Sequence, residues 1–267
     1  MRYLLFITLG AFIAFSCQSG KSTDQAADST APQGNPPAEG FNMVGSDAIA
    51  IEWADKVMEA MGGRKNWDNT RFITWNFFGR HALLWDKQEG KVRIESPADS
   101  LIFLIDIFND TGKVKKGNVV FEQPDSITAY VERGKRIWIN DSYWLVMPFK
   151  LKDSGVTLKY LAQDTTQEGT MAEILQLTFE AVGVSPQNKY KIYIDPATNL
   201  VCQWDFYSNA TDPAPRFSMP WKNYQPHGAI LLSGDRGKPQ LSDIAVYAEV
   251  PAAAFESFDP VNAADLK

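Results

Sequence analysis

Cysteine and histidine are both scarce in this chain of 267 residues: two of each, Cys17 and Cys202, His81 and His227. Two cysteines make one bridge at most, so no disulfide framework organises the fold and stability has to come from an ordinary core. The two histidines lie far apart, and neither has ligand-type spacing around it, which excludes the local His/Cys zinc motifs. His81 sits in an alternating stretch and His227 in a Pro-His-Gly turn, ordinary settings for hydrogen-bonded histidines. Positive charge is short as well, with 26 Lys and Arg against 32 Asp and Glu and a formal net charge of −6. Nucleic-acid binding needs clustered cations to displace counterions. The basic runs here, Lys113/Lys115/Lys116 and Arg133/Lys135/Arg136, read as solvated turns and helix faces, so no nucleic-acid partner is expected. The motifs of common hydrolases and nucleotide binders are missing. Gly183-Val184-Ser185-Pro186 fails a nucleophile elbow at the fifth position, and Gly112-Lys113-Val114-Lys115-Lys116-Gly117 lacks the terminal Lys-Ser/Thr pair of a phosphate loop. No apolar run reaches the roughly 20 residues of a membrane-spanning helix.

The longest apolar run is instead at the start. Arg2 precedes Tyr3 to Phe15, interrupted only by Thr8 and Gly10, which matches the short basic and apolar regions of a secretory leader. The run ends in Ala14-Phe15-Ser16-Cys17, which resembles the lipobox of bacterial lipoproteins. The resemblance implies a signal peptide over 1–16 and lipid attachment at Cys17, with several acyl chains (palmitate among them) anchoring the protein at roughly 0.8 kcal/mol per buried methylene. From Gln18 to about Gly45 the composition turns to Ser, Thr, Gln, Asp, Ala and Pro. That stretch has too little apolar area to offset its ordering entropy, so 17–45 is expected to be a disordered tether. A membrane-anchored protein of the cell envelope, facing the periplasm, follows as the expectation.

Beyond the tether, 45% apolar and 22% charged residues overall fit a globular domain, expected over 46–258 with a short tail at 259–267. Ser46 looks like an N-cap, followed by Ile49, Trp53, Val57 and Met61 at helical spacing and Gly62-Gly63 as a stop. The period then changes to two: Ile73/Trp75/Phe77, Val92/Ile94, Leu175/Leu177/Phe179, Tyr190/Ile192/Ile194, Leu200/Cys202/Trp204/Phe206 and Ile244/Val246/Ala248 each share a strand face. Turn residues separate these runs, as in Lys87-Gln88-Glu89-Gly90, Asn109-Asp110-Thr111-Gly112 and Asp195-Pro196-Ala197-Thr198-Asn199. Strands joined by short turns predict an antiparallel meander. From Asp125 to about Leu151 the pattern is helical and predicts two short helices, the second stopped near Pro148. The fold class is thus α+β, mainly β: a large antiparallel sheet with one N-terminal helix and a short helical insert.

Aromatic residues make up 12% of the chain. Trp75, Phe77, Trp85, Phe103, Phe179, Trp204 and Phe206 lie on strand faces, and Trp144, Phe149, Trp221 and Tyr224 punctuate the insert and late loops. Rings bring large apolar area at little rotamer cost, which suits them equally to a core and to a ligand pocket. A wide sheet has more concave surface than one helix covers. Either the insert fills the remainder or a cavity is left, walled by Trp75, Phe77, Trp85, Phe103, Trp144, Phe149, Trp204 and Phe206, with the segment Trp144 to Leu151 as a lid. No catalytic residues, cofactor or metal are expected. The carboxylates that could serve a hydrolase are Asp106, inside the apolar run Leu101 to Phe108, and Asp205.

Several longer motifs carry a family resemblance. They are Met61-Gly62-Gly63 with Asn66-Trp67, Trp85-Asp86 before Arg93, Asn140-Asp141-Ser142-Tyr143-Trp144-Leu145-Val146-Met147-Pro148-Phe149-Lys150-Leu151, and Gly155-Val156-Thr157-Leu158. Further on come Asp195-Pro196, Gln203-Trp204-Asp205-Phe206-Tyr207, Pro220-Trp221 and Leu232-Ser233-Gly234-Asp235-Arg236-Gly237. Together they cover about residues 46 to 250. The chain resembles a family of Gram-negative lipoproteins of unknown function described as outer-membrane lipoprotein-sorting-protein-like. That family is related in fold to the periplasmic lipoprotein carriers. The resemblance implies a curved sheet forming an incomplete β-barrel, or half-barrel, around an apolar cavity. The expected function is non-catalytic binding of a lipid, acyl chain or other apolar ligand. Two alternatives remain beside it: an envelope hydrolase using cavity carboxylates, and a protein-interaction module with a filled core and an exposed patch at Trp221 or Tyr224.

Overall fold

The computed structural model describes residues 34–180 and 183–267. The expected leader over 1–16, the acylation of Cys17 and the tether as far as residue 33 lie outside the described residues. Two helices, α1 (Ala48–Ala60) and α2 (Arg64–Asn69), precede a meander of β1 (Phe72–Phe77), β2 (His81–Asp86), β3 (Lys91–Ser96), β4 (Leu101–Asp106), β5 (Thr111–Lys116) and β6 (Val119–Val120). The helix α3 (Pro124–Val146) and a 3-10 turn at Met147–Lys150 interrupt the strands. Next come β7 (Val156–Thr165), β8 (Met171–Phe179), β9 (Lys189–Ile194), β10 (Val201–Tyr207), β11 (Phe217–Pro220), β12 (Gln225–His227), β13 (Ile230–Leu232) and β14 (Leu241–Tyr247), then the short helix α4 (Ala253–Glu256).

The expected large antiparallel sheet is present as two open sheets and a ribbon. Seven strands run in the order β14-β1-β2-β3-β4-β5-β6, five in the order β11-β10-β9-β8-β7, and β12 pairs with β13. The edge strands of neither larger sheet pair with each other, so neither closes into a barrel. Alternation decides which face is inward. In β1, Ile73, Trp75 and Phe77 are buried while Thr74 and Asn76 between them are half-buried. Three hairpins share one turn device. An aspartate at a strand end accepts backbone N–H groups two or three residues on: Asp86 from Gln88 and Glu89, Asp106 from Phe108 and Asn109, Asp195 from Ala197. Asp106 is therefore a turn-forming carboxylate. Burial raises its pKa, but hydrogen bonds to the Asn109 side chain and the turn backbone outweigh that and hold it below the ordinary value.

Five expectations change in detail. The insert is one continuous helix of 23 residues. Gly134, which costs helix propensity, earns its place by proximity: a Cβ there would lie 3.2 Å from Phe103 Cδ1 and 3.3 Å from Ile105 Cδ1. In α1 the buried face is Ala50, Ala54, Val57 and Met58, with Ile49 exposed, because small alanines let the helix approach β7 closely. Ser46 does not cap it. The Ser46 hydroxyl accepts the Leu158 N–H at 2.9 Å, and the Asp47 carboxylate accepts the Tyr160 N–H at 3.0 Å. Residues 34–45, read from composition as tether, are seated on the domain: Phe41 is buried, Ala38 N–H donates to the Lys152 carbonyl, and Asn42 N–H donates to that of Val156. Finally, a bulge between Val201 and Gln203 moves Cys202 off the face that carries Trp204, into a small cluster with Ala172, Ile174 and Tyr193. Burial there pushes the Cys202 thiol up to about 11, which leaves it unreactive at neutral pH.

At the far end of the chain, Arg93 on β3 donates to the carbonyls of Ala254, Ser257 and Asp259, pinning the C-terminal segment across the outer face of the first sheet. No helix among the described residues is long and apolar enough to cross a membrane.

Candidate functional site

Helix α3 lies between the two sheets and meets them differently along its length. The helix packs on β3, β4 and β5, with ring contacts to the first sheet as far along as Trp138. Tyr130 stands 6.3 Å from Phe103, and Trp138 meets Trp85 edge-on at 5.3 Å. Small Gly134 and long Phe103 interdigitate, as close packing requires. The second half turns aromatic residues toward the other sheet. The Trp144 ring stands between Phe77 and Phe78 on one side, at 6.1 and 5.3 Å, and Trp204 and Phe217 on the other, at 4.8 and 5.5 Å. Here large rings face large rings and do not fill the space.

A cavity of about 260 Å³ remains, walled by Ile139, Tyr143 and Trp144 of α3 and by Phe179, Tyr190, Trp204, Phe206 and Phe217 of the second sheet. Tyr190 stacks on Trp204 at 5.2 Å, and Phe206 on Phe217 at 5.0 Å. Asn140, Ser185 and Asn188 add the polar part of the lining. Among the described residues, no Asp, Glu, Lys, Arg or His lines the cavity. Burial pushes the phenol of Tyr190 up to about 12 and raises that of Tyr143 well above its ordinary value, so both stay neutral at physiological pH. The wall as a whole is uncharged. Behind it, His81 Nδ1 lies 2.7 Å from Asp141 Oδ2, joining β2 to α3 through a buried carboxylate.

Three of the eight aromatic residues singled out from sequence meet at this cavity: Trp144, Trp204 and Phe206. The other five lie elsewhere. Phe103 packs beside Tyr130 in the first half of α3 and Trp85 meets Trp138 just past its midpoint, and Phe77 packs against Phe78 and Trp144 behind the wall. Phe149 stacks on Trp67 at 4.3 Å. Trp75 is buried and borders a separate space of about 270 Å³ between the first sheet and the C-terminal residues Val261 and Leu266. The segment Trp144 to Leu151, expected as a lid, is largely core: Met147, Phe149 and Leu151 are buried. Tyr143, Tyr190 and Phe217 were not singled out as ligand contacts. Tyr190 could have been found as the aromatic on the inward face of its strand, two residues before Ile192.

The alternatives fare differently. Asp205 faces away from Trp204 and Phe206, buried and bonded to the Tyr193 hydroxyl at 2.8 Å and Gln203 Nε2 at 3.1 Å. Neither it nor Asp106 lines the cavity. Trp221 is buried and Tyr224 half-buried, with its hydroxyl donating to the Val201 carbonyl, so they form no exposed apolar patch.

No protein-family model matches the chain, and no curated protein matches it. Among solved structures, it is similar to a DUF1329 family protein from Desulfovibrio piger, with a TM-score of 0.41 and 10% identity over 78% of this chain and 97% of that one. It is also similar to MucB, with a TM-score of 0.25 and 12% identity over 83% of this chain and 65% of that one. Likenesses this distant concern the chain trace and transfer no activity.

Proposed function

We propose that the protein is a non-catalytic binding protein of the cell envelope, tethered through acyl chains on Cys17, which takes a neutral apolar segment of a lipid or similar molecule into the cavity between α3 and the second sheet. One observation carries this reading: the cavity wall is aromatic and uncharged. Such a wall favours apolar groups at roughly 25 cal/mol per Å² of surface removed from water and would penalise an unpaired charge heavily. It also presents no side chain suited to general acid–base work at neutral pH. Pockets that enclose whole drug-sized molecules span roughly 300–1,000 Å³, so a space of about 260 Å³ fits part of a chain or one ring system. The polar Asn140, Ser185 and Asn188 would then meet the ligand's polar end.

The test is uptake of N-phenyl-1-naphthylamine and of a fluorescent fatty acid by the full chain, with native mass spectrometry after gentle extraction. Saturable uptake that Phe206→Ala weakens about tenfold, the loss of one well-packed ring contact, is the expected result. Absence of uptake of either probe, together with no co-purifying lipid, would overturn the proposal.

A further inference from the structure

The end of α3 holds a defect that a distant residue repairs. In a helix that runs on, the Trp144 carbonyl would accept the backbone N–H of the residue four positions later. That residue is Pro148, which has none. The donor comes from the loop between β13 and β14: Arg236 Nη2 donates to the Trp144 carbonyl at 2.6 Å. The guanidinium is buried. Among the described residues its other bonds end on the Ser233 hydroxyl, the Ser233 carbonyl and the Asp235 carbonyl, none on a carboxylate. Its Cζ lies 3.3 Å from the centre of the Trp221 ring. Burying a cation without a carboxylate is unfavourable, and burial pulls this group down to about 9. A positive charge at a helix C-terminus recovers part of that.

The connections close on themselves. Trp221 meets Trp204 edge-on at 5.4 Å, and Trp204 meets Trp144 edge-on at 4.8 Å. Arg236 thus holds the backbone of Trp144 while stacking on the ring that backs Trp204, and Trp144 and Trp204 are both cavity wall. We propose that Arg236 is a positioning residue for the cavity, supplying the bond that Pro148 withholds and so fixing how far the Trp144 ring reaches between the sheets. Its link to ligand affinity rests on the binding reading above; its effect on Trp144 does not.

Two readouts on the full chain separate these. The difference in circular dichroism between the parent and Trp144→Phe isolates the coupled signal of the Trp144–Trp204 pair and needs no ligand. The affinity for N-phenyl-1-naphthylamine reports the cavity. Arg236→Gln should abolish the coupled signal and weaken the probe about tenfold, as loss of a charge-assisted bond implies. Adding Pro148→Ala to Arg236→Gln returns a backbone N–H to the Trp144 carbonyl and should restore most of both. A parent-like signal in Arg236→Gln, or no restoration by Pro148→Ala, would overturn the proposal. If the parent takes up no probe, the binding reading falls while the dichroism still decides the role of Arg236. Should Arg236→Gln fail to fold, the double variant decides: folding with the coupled signal supports the assignment, and failure to fold refutes it.

Discussion

The two halves of α3 make a comparison within one helix. In its first half Gly134 lies against Phe103 and Ile105, with Tyr130 beside Phe103 and Val131 buried. Its second half offers Tyr143 and Trp144 to Tyr190, Trp204 and Phe217, and a cavity is left. Side chains of unlike size interdigitate, whereas planar rings of like size meet edge-on or offset and leave gaps between them. The contrast implies that substitutions in the first half change stability and those in the second change binding.

The pair Phe103→Ala and Phe206→Ala puts most strain on that contrast. Phe103 is fully buried, and its truncation should lower unfolding free energy by about 3–5 kcal/mol while leaving probe affinity unaltered below the unfolding transition. Phe206 is half-buried on the cavity wall; Phe206→Ala should lose less than half as much stability and carry the change in affinity. Urea denaturation and probe titration on both chains check this, and equal stability losses with no difference in affinity would erase the distinction. A smaller effect is expected from Gly134→Val, where the added methyls meet Phe103 and Ile105: about 1–3 kcal/mol of overpacking. The same valine at exposed Asn140, on the cavity side, should stay within about 0.5 kcal/mol of the parent.

The smallest effect is in pH. The folded protein keeps the Tyr190 phenol neutral up to about 12, whereas an exposed phenol ionises near 10. The unfolded chain releases that proton first, so stability should fall as pH rises between those values. Tyr190→Phe should flatten that alkaline slope without removing it, since burial raises Tyr143 and Tyr224 as well. A denaturation series taken up to the alkaline limit would show it; an unchanged slope would mean that Tyr190 is solvated in the folded state.

Much of the sheet was legible in the sequence because alternation is local. Ile73/Trp75/Phe77 and Tyr190/Ile192/Ile194 all lie on β1 and β9, with the first of these triplets and Ile192 and Ile194 buried. What was not legible depends on residues distant in the chain. A bulge has no periodic signature, so Cys202 was placed beside Trp204 when it faces the other way. Ser46 has the chemistry of a helix cap, but the edge of β7 competes for its hydroxyl and prevails. Asp125 to Leu151 reads as two short helices, because the contact of Gly134 with β4 that suits a glycine within one continuous helix lies outside any local window. The site was half visible: strand periodicity finds inward rings, but it cannot tell which will be filled by α3 and which will border a void.

The stitching of residues 42–47 onto β7 has a wider consequence. Val156, Leu158 and Tyr160 would otherwise present an open row of amides and carbonyls at the margin of a sheet, a template for another chain to add a strand. The protein occupies that row with its own preceding segment, through the amide of Asn42, the hydroxyl of Ser46 and the carboxylate of Asp47. Past Tyr160 the strand kinks at a bulge around Leu161, which spoils the register an incoming strand would need. The margin of β7 is thus covered by the junction between the expected spacer, which ends at residue 45, and the start of the domain, leaving that row less open to a second chain.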